Sequence, residues 1–143
     1  MAHETLLIGS PNSGKSLLFN RLTGLSQKVA NFPGITVSLG RGALLGHPEL
    51  TLLDFPGTYS LAPLSGEERI ASDGFHAALA REDLKRVLCV IDATRLGKSL
   101  NLALQVLREA AHAKRDVLLV ATMIDAFPKG PDRFDVEGLG AAL

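Results

Sequence analysis

Thr5-Leu6-Leu7-Ile8-Gly9-Ser10-Pro11-Asn12-Ser13-Gly14-Lys15-Ser16-Leu17-Leu18-Phe19-Asn20-Arg21-Leu22 is the stretch that decides the architecture. Its first four residues form an apolar run that reads as a buried strand. Gly9 to Gly14 then punctuates, and Lys15 to Leu22 shows helical spacing that stops at Gly24. Gly9 to Ser16 fits the pattern G-x-x-x-x-G-K-[ST], in the strand-to-helix setting that the pattern requires. The residue types follow from the chemistry. Glycines at Gly9 and Gly14 let the N–H groups of the loop, Ser13 among them, converge on phosphate oxygens, and the helix start adds partial positive charge. Lys15 is placed to reach the β- and γ-phosphates, Ser16 to give Mg²⁺ a hydroxyl ligand, and Leu17 to lie beside the nucleotide.

Outward from this stretch, Gln27 to Gly34 lacks periodicity and reads as a mobile loop. Val37 to Leu45 and Leu50 to Asp54 read as a hairpin turning around Gly46 to Pro48. A helix capped by Ser65 is predicted to run to about Arg81, followed by a strand over Arg86 to Asp92. Next come a helix over Leu100 to Ala113 with Leu100, Ala103, Leu104 and Leu107 at helical spacing, a strand over Asp116 to Thr122, and a last helix over Val136 to Leu143. Strands alternating with helices predict an α/β P-loop NTPase fold, a small-GTPase-like three-layer sandwich whose mostly parallel sheet is covered on both faces.

A phosphate loop alone does not separate kinases, ATPases and GTPases. Asp54-Phe55-Pro56-Gly57 follows a strand, which puts a carboxylate where it can hold Mg²⁺ through water and lets Gly57 offer its N–H to the γ-phosphate. Thr36, behind Gly34 in the loop after the first helix, is suited to a second hydroxyl contact to Mg²⁺ when GTP is bound. Thr122-Met123-Ile124-Asp125 stands where GTPases write Asn-Lys-x-Asp. Asp125 can accept from guanine's ring N–H and amine, which adenine does not offer in that arrangement, while Thr122 replaces the asparagine. Lys15, Thr36 and Gly57 are the expected catalytic set from these motifs, and Ser16, Thr36 and Asp54 the expected metal set. Thr58 follows Gly57 where Ras-like enzymes carry a water-orienting glutamine, so slow intrinsic hydrolysis is expected.

The 143 residues suit one domain, and 15 basic residues against 15 acidic leave no global charge to attract nucleic acid or an anionic membrane. Cys89 is the sole cysteine, which excludes an internal disulfide and reads as a small core residue in a reducing compartment. No run approaches the length of a membrane span, so the segment is expected to be soluble. The four histidines have no metal-ligand spacing.

With these motifs in place the chain resembles, over nearly its whole length, the N-terminal G domain of the ferrous iron transport protein B family. The resemblance is carried by the phosphate loop, by Asn31 to Val37, by Asp54-Phe55-Pro56-Gly57-Thr58-Tyr59-Ser60-Leu61, by Val90 to Thr94 and by Met123. It implies a GTP- and GDP-binding domain, fused to a helical spacer and a polytopic membrane domain that moves Fe²⁺, at the cytoplasmic face of the inner membrane. It also implies an activating K⁺ held partly by Asn12, and a C-terminal truncation before the last strand and the guanine-backing loop. With Thr122, that truncation predicts weak nucleotide binding. Self-association is left open. A soluble ribosome- or RNA-associated GTPase and a non-hydrolysing interaction module are the competing readings, the former without the basic appendage it would normally carry.

Overall fold

The computed structural model describes residues 3–25, 27–129 and 133–143. Six strands form one sheet in the order β2-β3-β4-β1-β5-β6: β1 (His3–Gly9), β2 (Lys28–Ala30), β3 (Leu39–Leu44), β4 (His47–Asp54), β5 (Leu84–Asp92) and β6 (Asp116–Thr122). β4, β1, β5 and β6 are mutually parallel, while β2 and β3 pair antiparallel, so the sheet is mixed around a parallel centre. Successive side chains of β1 face opposite ways. Leu6 and Ile8 therefore join the larger core cluster, and Leu7 meets Phe19 on the other face.

The helices are α1 (Lys15–Thr23), α2 (Gly66–Leu79), α3 (Leu96–His112) and α4 (Val136–Ala142). Phe19 of α1 packs with Leu7, Leu52 and Val90, whereas Phe75, Ala78 and Leu79 of α2 share the larger cluster with Leu102, Ala103 and Val106 of α3. Ser65 caps α2 by accepting from the Glu68 N–H at 3.2 Å, and the Glu68 carboxylate accepts from the Leu64 N–H at 3.1 Å. On the α1 face an apolar cleft of about 360 Å³ runs between Leu18, Leu22, Leu44, Leu88 and Val120.

Four sequence expectations change. The supposed mobile loop contains β2, whose residues pair with Leu39–Arg41. β3 starts at Leu39 rather than Val37, because Val37 leaves the ladder to pack against the core. β4 starts at His47, with Pro48 where the register slips between Ala43 and Leu44, a place where a proline's missing N–H is tolerated. α3 starts earlier and buries Ser99, Leu102, Ala103, Val106 and Ala110, leaving Leu104 exposed. Periodicity in that apolar segment fits two neighbouring stripes, and packing on β5 selects one of them. Cys89 is buried in the core as expected, and burial pushes its thiol up to about 12.

Candidate functional site: two adjoining clefts at the loop before α1

Between β1 and α1 the chain turns through two left-handed residues, Asn12 (φ 61) and Gly14 (φ 85). Asparagine tolerates this region better than most residues, and glycine enters it freely. A cleft of about 500 Å³ opens above the turn, lined by Asn12, Gly14, Lys15, Ser16, Leu17 and Gly57, with Ser10 and Pro11 beside them. Lys15 is 7% exposed, and its Nζ is ion-paired with Asp54 Oδ1 at the end of β4. The pair brings together two residues on separate elements, one at the start of α1 and one at a strand end.

Gly57 is held against the loop. A Cβ there would lie 3.1 Å from Pro11 Cα, a tight contact that a side chain could make only if the loop gave way by a few tenths of an ångström. The Thr58 N–H donates to the Gly9 carbonyl at 3.2 Å, and the Thr58 hydroxyl donates to the Ser60 carbonyl at 2.9 Å, along its own segment. Gln105 of α3 pins Ser60 and Leu61: its Oε1 accepts from the Leu61 N–H at 2.7 Å, and its Nε2 donates to Ser60 Oγ at 3.0 Å.

A second cleft of about 410 Å³ shares Gly14 and Leu17 with the first and adds Arg21, Thr122, Met123 and Asp125. The Thr122 hydroxyl donates to the Ser13 carbonyl at 2.6 Å, with the Ile91 carbonyl farther away at 3.2 Å. A hydroxyl carries one proton. Thr122, which stands in place of the asparagine, therefore braces the phosphate loop from β6. Met123 takes a left-handed conformation (φ 59) that turns the chain into the short 3-10 segment Ile124–Ala126.

Of the residues singled out in the sequence, Asn12, Gly14, Lys15, Ser16, Leu17, Gly57, Thr122, Met123 and Asp125 line these clefts, and Asp54 joins them through Lys15. Gly9 and Ser13 line neither cleft and are buried in the turn, where a Cβ on Gly9 would lie 3.0 Å from Ser13 Oγ. Gly34 and Thr36 do not line either cleft. Thr36 is exposed between Ile35, which is buried, and Val37, which packs on the core, while Phe32 stacks 4.0 Å under the Arg81 guanidinium. Arg81 is itself ion-paired with Glu4 at the start of β1, the end of that strand away from the phosphate loop. Anchored there, the segment holds Thr36 off the cleft.

The donor set of the first cleft, a hydroxyl at Ser16 and a carboxylate at Asp54, is hard oxygen and fits Mg²⁺. Thr36 would have to move to contribute.

The sequence model of the family described as ferrous iron transport protein B matches residues 3–143. The chain belongs to this family. Ferrous iron transport protein B relatives include the Fe(2+) transporter FeoB of Leptospira biflexa, 37% identical over 96% of this chain and 19% of that protein. Another is the Salmonella typhimurium FeoB, 37% identical over 96% of this chain and 17% of its own length. The chain thus spans about a fifth of the curated relatives it matches. Among solved structures, a mutant S. thermophilus NFeoB bound to GDP superposes with a TM-score of 0.78 at 36% identity, covering 99% of this chain and 51% of that one. The G domain of the T. maritima FeoB iron transporter gives 0.73 at 36% identity, over 100% and 83%.

In this member of the FeoB family, sequence reasoning missed Arg21 and Gln105. Arg21 stands four residues after Leu17, on the same face of α1, which is a legible signal. Gln105 carries no local signal, since its partners lie 44 and 45 residues away.

Proposed function

We propose that this chain binds a guanine nucleotide with Mg²⁺ and hydrolyses GTP slowly. In a longer protein of the family it would act at the cytoplasmic face of the membrane as a nucleotide-dependent regulator of ferrous iron uptake, followed by a helical spacer and a membrane domain. The observation that carries this reading is the pair of adjoining clefts sharing Gly14 and Leu17: one presents Lys15 and the helix start, the other presents Asp125. GDP-bound relatives of the same fold support it.

On nucleotide entry, Lys15 exchanges its Asp54 partner for phosphate oxygens, and the N–H groups of the loop and of Gly57 face the transferring phosphoryl group. Ser16 and the freed Asp54 would hold Mg²⁺, joined by Thr36 once its loop moves; the ion supplies neutralisation of phosphate charge. Asn12, at the rim of the phosphate cleft, would hold K⁺. Asp125 accepts from the guanine N1–H and amine. With its hydroxyl turned to the Ser60 carbonyl, Thr58 does not take the place of a water-orienting glutamine, in keeping with slow turnover.

Calorimetry with GDP and GTP, together with phosphate release in K⁺ and in Na⁺ buffer, tests this. Binding in the micromolar range and turnover that is faster in K⁺ are expected. Lys15→Ala should lower turnover about 100-fold or more, and Thr58→Ala less than about threefold. Folded protein that takes up neither nucleotide ends the proposal, and uptake without phosphate release leaves a binding module.

A further inference from the structure

The base cleft offers three polar side chains among its described lining residues: Arg21, Thr122 and Asp125. The single proton of Thr122 is spent on the Ser13 carbonyl, so no side-chain amide or hydroxyl proton among these residues remains to meet the acceptor edge of a purine. Asp125 accepts only, and it suits the N1–H and amine of guanine. The O6 and N7 atoms on the neighbouring edge are acceptors and need donors.

We infer that Arg21 is a specificity-determining residue that donates to guanine O6 and N7. This inference rests on the guanine-nucleotide function proposed above. Three observations carry it. Arg21 lies one turn beyond Leu17 on α1, and long helical side chains lean back toward the helix N-terminus, here toward Leu17 and Gly14 at the cleft. Its guanidinium makes no ion pair or side-chain hydrogen bond among the described residues, so its five donors are available. Arg21 and Asp125 also line one cleft with opposite charges and form no ion pair with each other, so both remain open to a ligand in the cleft. A position in the last turn of α1 suits any basic residue by the helix dipole, but that accounts for the charge and not for the fork of donors.

The experiment compares GDP, 7-deaza-GDP, which lacks the N7 acceptor, and IDP, which lacks the amine read by Asp125. Affinities are measured by calorimetry for the 143-residue chain and its Arg21→Ala variant, with thermal unfolding of both as the check on folding. The unaltered chain should bind GDP about tenfold tighter than 7-deaza-GDP. Arg21→Ala should bind the two alike, at or below the unaltered chain's 7-deaza-GDP affinity, while the loss on going from GDP to IDP stays the same in both proteins. Equal GDP affinity in the two proteins, or a variant that still prefers GDP over 7-deaza-GDP as strongly as the unaltered chain, overturns the inference and leaves guanine binding intact. No binding of any nucleotide to the unaltered chain removes the function proposed above as well.

Discussion

The Thr122 hydroxyl joins the end of β6 to the Ser13 carbonyl across 109 residues of sequence. A bond of this kind contributes about 1 kcal/mol net, and its loss also strands a carbonyl of the loop that meets phosphate. Thr122→Ala should therefore lower the melting temperature by about 3 °C and weaken GDP binding about fivefold, read by calorimetry. GDP affinity equal to that of the unaltered chain would show that the loop keeps its shape unaided. The neighbouring Lys15–Asp54 pair illustrates how residue chemistry and position separate: both side chains suit phosphate and metal, and in this conformation each serves as the other's counter-ion. Thr36 illustrates the reverse, a residue suited by its hydroxyl whose flanking apolar neighbours fix where it sits.

At the scale of elements, α2 and α3 are joined on their outer edge by His76 and Glu109. The His76 Nε2 lies 2.8 Å from the Glu109 carboxylate, and its Nδ1 lies 2.7 Å from the Ser72 carbonyl. Two acceptors facing both ring nitrogens select the imidazolium, since the neutral ring has one N–H. Burial, the largest single influence, opposes that charge, but the hydrogen bonds to Glu109 and Ser72 and the charges of Glu109 and Asp73 together outweigh it and raise the His76 pKa. Glu109 is lowered chiefly by its bond from His76, with Arg108 adding to the effect. A raised histidine stabilises below its unfolded pKa and loses that contribution as pH rises through the folded value. A lowered glutamate stabilises above its unfolded pKa and loses that as pH falls. The window of full effect lies between about pH 4.3 and about pH 6.5. Melting of the chain and of His76→Gln should differ by about 1–3 °C near pH 5.5, and the gap should close near pH 8.5. A gap independent of pH would mean that packing, not charge, joins the two helices there.

For the molecule as a whole, a ligand that binds only the folded state raises stability by mass action. GDP at about 100 times its dissociation constant adds about 2.7 kcal/mol, or roughly 8 °C in melting temperature. Lys15→Ala should lose most of that shift in a thermal scan with and without GDP, and a full shift in the variant would place the nucleotide elsewhere. The order of the four helices and of every strand but β2, the phosphate loop and the two carboxylates at Asp54 and Asp125 were legible in the chain. Each rests on a few consecutive residues: glycines where the backbone turns left-handed, a helix start with its N–H groups unpaired, apolar runs that must be buried. The stripe of α3 that faces β5, the anchoring of Phe32 under Arg81, the Gln105 bonds to the segment after Gly57, and the placing of Arg21 and Asp125 in one cleft were decided by tertiary structure alone. Local sequence fixes how the backbone turns and which atoms each residue offers. Which of those atoms share a cleft depends on the faces that distant elements bury against one another, and burial belongs to the folded chain rather than to any segment of it.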